Sequence, residues 1–297
     1  MKILVSIDGT PCPPGEAFIP VFDRGFLFGD SVYETLRVYR GVPFMREEHL
    51  GRLVRSAAGL GFDLRSRCEP LRSSIETLLE TARCRNGLLR VVVTRGSSGL
   101  TLSLRGLPEV PRTILFYTAL PEDHDARLAA GFTLHVPKIE RTSREALDPA
   151  IKSGNKLNNI LALAEAERLG YDDCLMLNGQ GALAELSSSN LFVVRAGEVL
   201  TPSLESGILD GITRGVLLDL CSHHGLPARA CTLGLNDLFQ AEEAFLSSTS
   251  REVVAVKRID NLVLPEAPGP LTRRLHELFK LFIEDYCERA TSTDHCA

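Results

Sequence analysis

Two residues frame the chemistry open to this chain. Lys152 stands just before an amphipathic stretch and Glu185 just after a tight turn, in AIKSGNKLNNILALAEAERLGYDDCLMLNGQGALAELSSSNLF, residues 150–192. A lysine amine can form a Schiff base with an aldehyde and then act as general base and acid. A carboxylate can keep a pyridine nitrogen protonated, so that the ring accepts electrons. Such a pair is what an enzyme needs to hold pyridoxal phosphate, although the spacing alone does not select that cofactor.

The elements that must position the pair surround it. Leu157, Ile160, Leu161 and Ala164 recur at helical spacing, which predicts a helix over 155–169 with one apolar face, stopped by Gly170. Residues 174–177 read as a short buried strand, and Asn178-Gly179-Gln180-Gly181 as the hairpin turn that reverses it.

IKSGNKLNNILA and ELSSSNLF closely resemble the signature of the class IV, fold type IV, pyridoxal-phosphate aminotransferases. That family contains branched-chain aminotransferases, D-amino acid aminotransferases, R-selective amine transaminases and aminodeoxychorismate lyases. DRGFLFGD, HLGRL, TRG, IKSGNKLNN, ELSSSN, GIT and SST follow in the family's order over nearly the whole chain. The resemblance implies an α+β, two-domain fold: a small α/β N-terminal domain over 1–119, a linker over 120–126, a larger pseudo-barrel domain that binds the cofactor over 127–290, and a disordered tail over 291–297. It implies a homodimer, and ping-pong transfer between a small-molecule amino donor and a 2-oxo acid.

Site residues follow from the same resemblance. Lys152 is the catalytic lysine and Glu185 the partner of the pyridine nitrogen. Arg52, in HLGRL, binds the phosphate, as a guanidinium can through paired hydrogen bonds. Ile212 and Thr213, at a helix start rich in open amides, and Ser248 and Thr249 complete the phosphate site, with Leu209 near the ring. Tyr33 points toward the substrate, and the amides of Thr249 and Ser250 hold its carboxylate. Lys156 stands where a tyrosine often contacts the phosphate; its ammonium replaces that contact or faces water.

Substrate choice falls to GSSGLTLSLRGLPEVP, residues 96–111. D-amino acid aminotransferases carry an arginine and a histidine where Leu100 and Leu102 stand here, and the lyases carry an arginine at the first of these positions. Two leucines favour a hydrophobic, branched-chain-like donor. A D-amino acid aminotransferase, or an R-amine transaminase, with a non-standard carboxylate site is the second reading; the lyase, with Arg90 where a lysine is common, is the third. A homologue that only binds the cofactor or a partner is the non-enzymatic alternative, against which Lys152 and Glu185 argue.

Composition narrows the remaining classes. The 297 residues suffice for a sizeable core and two domains, and a net charge of −5 argues against a partner held through nucleic-acid phosphates. Eight cysteines show no C-x-x-C spacing and no pairing with histidine, so no metal is expected and a reducing cytoplasm fits. His223-His224 reads as a solvated helix end. The apolar run in MKILVSIDGT is too short for a signal peptide, and no stretch is long enough to cross a bilayer.

Elsewhere, strands are expected over 1–8, 88–95, 113–119, 132–137, 191–194, 199–201 and 243–246. After Gly25 and Gly29, Val32, Glu34, Leu36 and Val38 alternate with Tyr33, Thr35, Arg37 and Tyr39, the period of a strand. Leu50, Leu53, Val54, Ala57 and Leu60 mark a helix ended by Gly61, and helices are also expected over 71–82, after Thr213 with Val216, Leu217 and Leu220 inward, and over 271–286.

Overall fold

A computed structural model describes residues 3–82, 85–106 and 110–293, and the chain divides into two units. Met1–Pro121, Ile151–Asn155 and Tyr286–Ala297 make one; Glu122–Ala150 and Lys156–Asp285 make the other. The short return of 151–155 to the first unit places Lys152 there.

The first unit contains β1 (Ile3–Ile7), β2 (Thr10–Cys12), α1 (Arg24–Phe28), β3 (Ser31–Tyr39), β4 (Val42–Pro43), α2 (Arg46–Gly59), α3 (Cys68–Ala82), β5 (Gly87–Thr94) and β6 (Arg112–Ala119). Its strands form one antiparallel sheet in the order β2-β1-β6-β5-β3-β4. The expected stripe of α2 is inward, with Leu50, Leu53 and Ala57 packed on Val32, Leu36, Val91 and Leu115 of the sheet. The alternation read in β3 also holds, and it has a consequence: Glu34 shares the inward face with Val32, Leu36 and Val38 and is fully buried. The first half of DRGFLFGD folds as α1, capped by the Asp23 carboxylate on the Gly25 amide and ended by Gly29 at φ +68°.

The second unit contains α4 (His124–Ala129), β7 (Phe132–His135), α5 (Leu157–Arg168), β8 (Asp173–Leu177), β9 (Leu183–Leu186), β10 (Asn190–Arg195), β11 (Glu198–Pro202), α6 (Ile212–His223), β12 (Ala228–Cys231), α7 (Leu235–Phe239), β13 (Glu243–Ser248), β14 (Glu252–Ile259) and β15 (Leu262–Val263). Six strands close on themselves in the order β10-β13-β14-β7-β8-β9, because β9 pairs with both β8 and β10. Leucine, valine and isoleucine from all six fill the barrel's core. The last helix, α8 (Pro270–Thr293), starts in this unit and ends in the first, where Tyr286 packs edge-on against Phe44 at 5.0 Å.

Two expectations change. The tail read as disordered from 291 is helical through Thr293, and residues 294–297 lie outside the described residues. Helix α5 forms where its period predicts, but the inward face is Asn159, Ala162 and Ala166; Leu157, Ile160 and Leu161 are 69%, 56% and 56% exposed. Two alanines four residues apart let the helix approach Cys174 and Met176 of β8 closely, which the larger leucine face would prevent.

Candidate active site

Lys152 is held by backbone pairing against β3. Val32 and Ser153 form a bridge, the Tyr33 amide donates to the Lys152 carbonyl at 3.0 Å, and the Gly154 amide donates to the Ser31 carbonyl at 2.8 Å. From α2, the Ser56 hydroxyl accepts the Lys152 amide at 3.1 Å. Gly154 suits this lane because a Cβ there would lie 2.2 Å from the Ser31 Oγ. The Lys152 ammonium lies 4.7 Å from the centre of the Tyr33 ring, and the exposed Arg90 guanidinium 4.3 Å from the same ring. Tyr33 and Lys152, which the sequence singles out separately, therefore meet.

Arg52 lies deep on the buried side of α2. Its Nε and Nη2 donate to the two carboxylate oxygens of Glu34 at 2.7 and 2.8 Å, a bidentate pair, and His49 Nδ1 lies 2.7 Å from Glu34 Oε2. Burial alone would raise the Glu34 carboxyl, but Arg52 and His49 overcome it and hold it down to about 2. Burial pushes His49 below its ordinary value. A neutral imidazole facing an ionised carboxylate must donate from Nδ1, which fixes the tautomer. The arginine foreseen in HLGRL is thus oriented by a glutamate that was visible as a charge in an apolar register.

In the second unit, Glu185 is met by three donors. Arg141 Nη2 reaches Oε1 at 2.8 Å, while the Leu209 amide at 3.0 Å and Asn190 Nδ2 at 3.5 Å reach Oε2. Asn190 also donates to the Leu209 carbonyl at 3.0 Å, so the chain around Leu209 is fastened at both its N–H and its C=O. Arg141 Nη1 donates to Asn159 Oδ1 at 3.4 Å, and Asn159 Nδ2 to the Ser187 carbonyl at 2.9 Å, which explains a buried amide on α5. The Arg141 Nε is buried without a hydrogen-bond partner among the described residues. No periodicity marks Arg141, an arginine in an irregular run; only tertiary contact reveals it.

Ile212 and Thr213 open α6, where the first amides have no acceptor within the helix. Arg214, buried beside them, donates to Thr201 Oγ1 at 3.2 Å and to the Pro202 carbonyl at 3.0 Å, fixing the helix start on β11. Gly211, the N-cap, leaves room for Asn190: a Cβ there would stand 2.0 Å from Asn190 Oδ1, so one of the two would have to shift. Ser248, Thr249 and Ser250 are half-buried in the turn between β13 and β14. Arg251 braces that turn by pairing with the Asp173 carboxylate and donating to Ser189 Oγ at 3.4 Å, while Asp173 Oδ1 accepts the Cys174 and Ser187 amides at 2.7 and 3.2 Å. Asp173 and Arg251 carried no sequence signal beyond charge.

Lys156 is the N-cap of α5. Leu100 and Leu102 project from the loop after β5, 76% and 73% exposed. Among the described residues no group of His, Cys, Asp or Glu could hold a metal ion, and no helix is long and apolar enough to cross a membrane.

A closed barrel in one unit and an antiparallel sheet in the other, with Lys152 and Glu185 each embedded in a built environment of its own unit, define a fold type IV enzyme. Residues 31–259 match the family described as amino-transferase class IV, and the chain belongs to that family of pyridoxal-phosphate-dependent transaminases. It is 36% identical over 290 residues, 94% of this chain and 96% of the other, to a putative branched-chain-amino-acid aminotransferase of Methanocaldococcus jannaschii. It is 32% identical over 286 residues, 95% of this chain and 98% of the other, to a D-alanine aminotransferase of Staphylococcus aureus. The branched-chain aminotransferase of Thermoproteus uzoniensis, solved with norvaline, superposes with a TM-score of 0.86 at 28% identity, covering 93% of each chain.

Proposed function

We propose that the enzyme moves an amino group between a hydrophobic, branched-chain-like amino acid and a 2-oxo acid in a ping-pong cycle. One observation carries the substrate class: the loop expected to select the donor presents Leu100 and Leu102, both largely exposed, instead of basic side chains. The 36% identical relative carries a branched-chain name, which supports the same reading.

The residues present fit pyridoxal phosphate. A lysine stands on an aromatic ring, donors converge on both oxygens of a buried carboxylate, and open amides at the start of α6 suit a phosphate. When bound, the cofactor supplies an electron sink for the charge left when a substrate Cα–H bond breaks. The Lys152 amine would hold the cofactor and would serve as the base that accepts that proton. Glu185 would hold the cofactor's ring nitrogen protonated, and Arg141, Asn190 and the Leu209 amide fix its oxygens. Arg52, Ile212, Thr213, Ser248 and Thr249 would hold the phosphate, and Leu209 would lie near the ring. The Thr249 and Ser250 amides take the substrate carboxylate, and Tyr33 borders the substrate. Arg90, stacked on Tyr33 and otherwise solvated, suits the second carboxylate of an acidic 2-oxo acid acceptor.

A D-amino acid aminotransferase is the second reading, favoured by D-alanine relatives that are 31% and 32% identical. A homodimer is supported by the exposed leucine and isoleucine face of α5, and a cytoplasmic setting by six free cysteines among the described residues.

Rapid-scan absorbance of the holoenzyme with L-leucine, D-alanine, D-glutamate and R-1-phenylethylamine in separate cells tests the proposal. Conversion by L-leucine alone supports it; response only to a D-amino acid or to the amine overturns the donor assignment. Lys152→Ala is expected to lose both the visible band and turnover, and normal turnover would sink the catalytic assignment.

A further inference from the structure

Leu100 and Leu102 are exposed, yet the backbone that carries them is fastened from below. Arg24, 4% exposed in α1, donates from Nη1 to the Thr101 carbonyl at 2.9 Å and to Ser98 Oγ at 3.1 Å, and from Nη2 to the Leu102 carbonyl at 3.4 Å. Its Nε is paired with Asp30 Oδ2 at 2.8 Å. The same oxygen accepts Arg95 Nε at 2.7 Å, and Arg95 Nη2 donates to the Leu60 carbonyl just past α2 at 2.6 Å. One carboxylate thus locks two guanidiniums, one gripping the loop and the other gripping the end of a core helix.

Further bonds fix the start of the loop. The Arg24 amide donates to the Gly96 carbonyl at 2.9 Å and the Ser98 amide to the Phe22 carbonyl at 3.0 Å. Gly96 is at φ +93°, and a Cβ there would lie 2.3 Å from the Val110 carbonyl oxygen, so the two ends of the loop are drawn together by a close approach only glycine permits.

We propose that Arg24, locked by Asp30, is a positioning residue for donor specificity: it fixes the backbone of 98–102 so that Leu100 and Leu102 are presented as a rigid apolar element. The reason is entropic. Apolar side chains on a pre-ordered backbone lose less freedom on contact than the same side chains on a mobile loop. Only a guanidinium can do this, because its planar fork serves a carboxylate, a hydroxyl and two carbonyls at once; a lysine ammonium has three donors on a single point. The inference rests on the reading above that this loop selects the donor.

The test combines amide hydrogen exchange at 98–103 with steady-state kinetics, on wild-type holoenzyme and on Arg24→Gln, Arg24→Lys and Ser98→Ala. Both Arg24 variants are expected to raise exchange at 98–103 by roughly tenfold or more, as befits lost charge-assisted hydrogen bonds, and Ser98→Ala by a smaller factor in the same direction. KM for L-leucine is expected to rise about fivefold or more while KM for L-alanine and the visible cofactor band stay near wild type, a split that general destabilisation would not give. Should Arg24→Gln not fold, Arg24→Lys and Ser98→Ala decide the matter. Unchanged exchange in both would overturn the anchor, and faster exchange with an unchanged KM for L-leucine would overturn its role in specificity. A wild-type enzyme that transaminates none of the donors sinks the functional reading instead, and the exchange data still judge the anchor.

Discussion

Replacing Glu34 with glutamine removes one charge and almost no volume, from a position with no solvent contact. The folded protein holds this carboxyl down from 4.5 to about 2, because Arg52 and His49 outweigh the burial that would raise it. At about 1.4 kcal/mol per pH unit, that gap corresponds to about 3 kcal/mol of stability at neutral pH. Breaking a buried ion pair by neutralising one partner costs ~3–5 kcal/mol in general, so two independent routes agree. Glu34→Gln should therefore lower the melting temperature by roughly 6–12 °C at pH 7. The sign of the pH dependence follows from the depressed value: the contribution is whole above about pH 5 and fades as pH falls from 4.5 toward 2. By pH 3 the difference between wild type and variant should shrink to roughly half its value at pH 7. Paired urea titrations at pH 7 and pH 3 measure it. A variant as stable as wild type at pH 7, or a deficit unchanged at pH 3, would refute the reasoning.

Other expected outcomes bear on the second unit. Arg141→Gln should slow the half-reaction about tenfold or more while leaving a coloured protein, because Glu185 keeps two donors but loses its cation; stopped-flow rates equal to wild type would remove Arg141 from its positioning role. Gly211→Ala should cost ~1–3 kcal/mol and weaken cofactor retention, since the added methyl meets Asn190 Oδ1 at 2.0 Å; calorimetry and dialysis against buffer measure both. On the proposal that the exposed face of α5 forms a homodimer contact, Ile160→Glu should lower the mass seen in light scattering relative to wild type without altering the far-ultraviolet spectrum; a monomeric wild type or an unchanged mass would overturn that contact.

Local pattern revealed most elements and few of the contacts between them. The stripes of α2 and α6 and the alternation of β3 were readable because each buries its apolar side against its own unit. In α5 the same signal gave the helix but not its orientation, for periodicity distinguishes two faces without saying which one the fold covers. Lys152 and Glu185 stood out through their surrounding motifs. Arg141 did not, because its meaning lies in contacts with Asn159 and Glu185, 18 and 44 residues away along the chain. Glu34 is intermediate: its inward register could be counted from the sequence, and a charge in that register demands a partner, but only the packed α2 shows that the partner is Arg52.

The barrel closes where β9 meets β10 through a single residue pair, Glu185 opposite Asn190. The seam that completes the cylinder and the carboxylate proposed to serve the chemistry are thus one piece of structure. A partly assembled chain could form every other strand pairing and still lack the Glu185–Asn190 pair that closes the cylinder. Closure of the barrel and placement of the carboxylate proposed for the ring nitrogen depend on the same pair of residues.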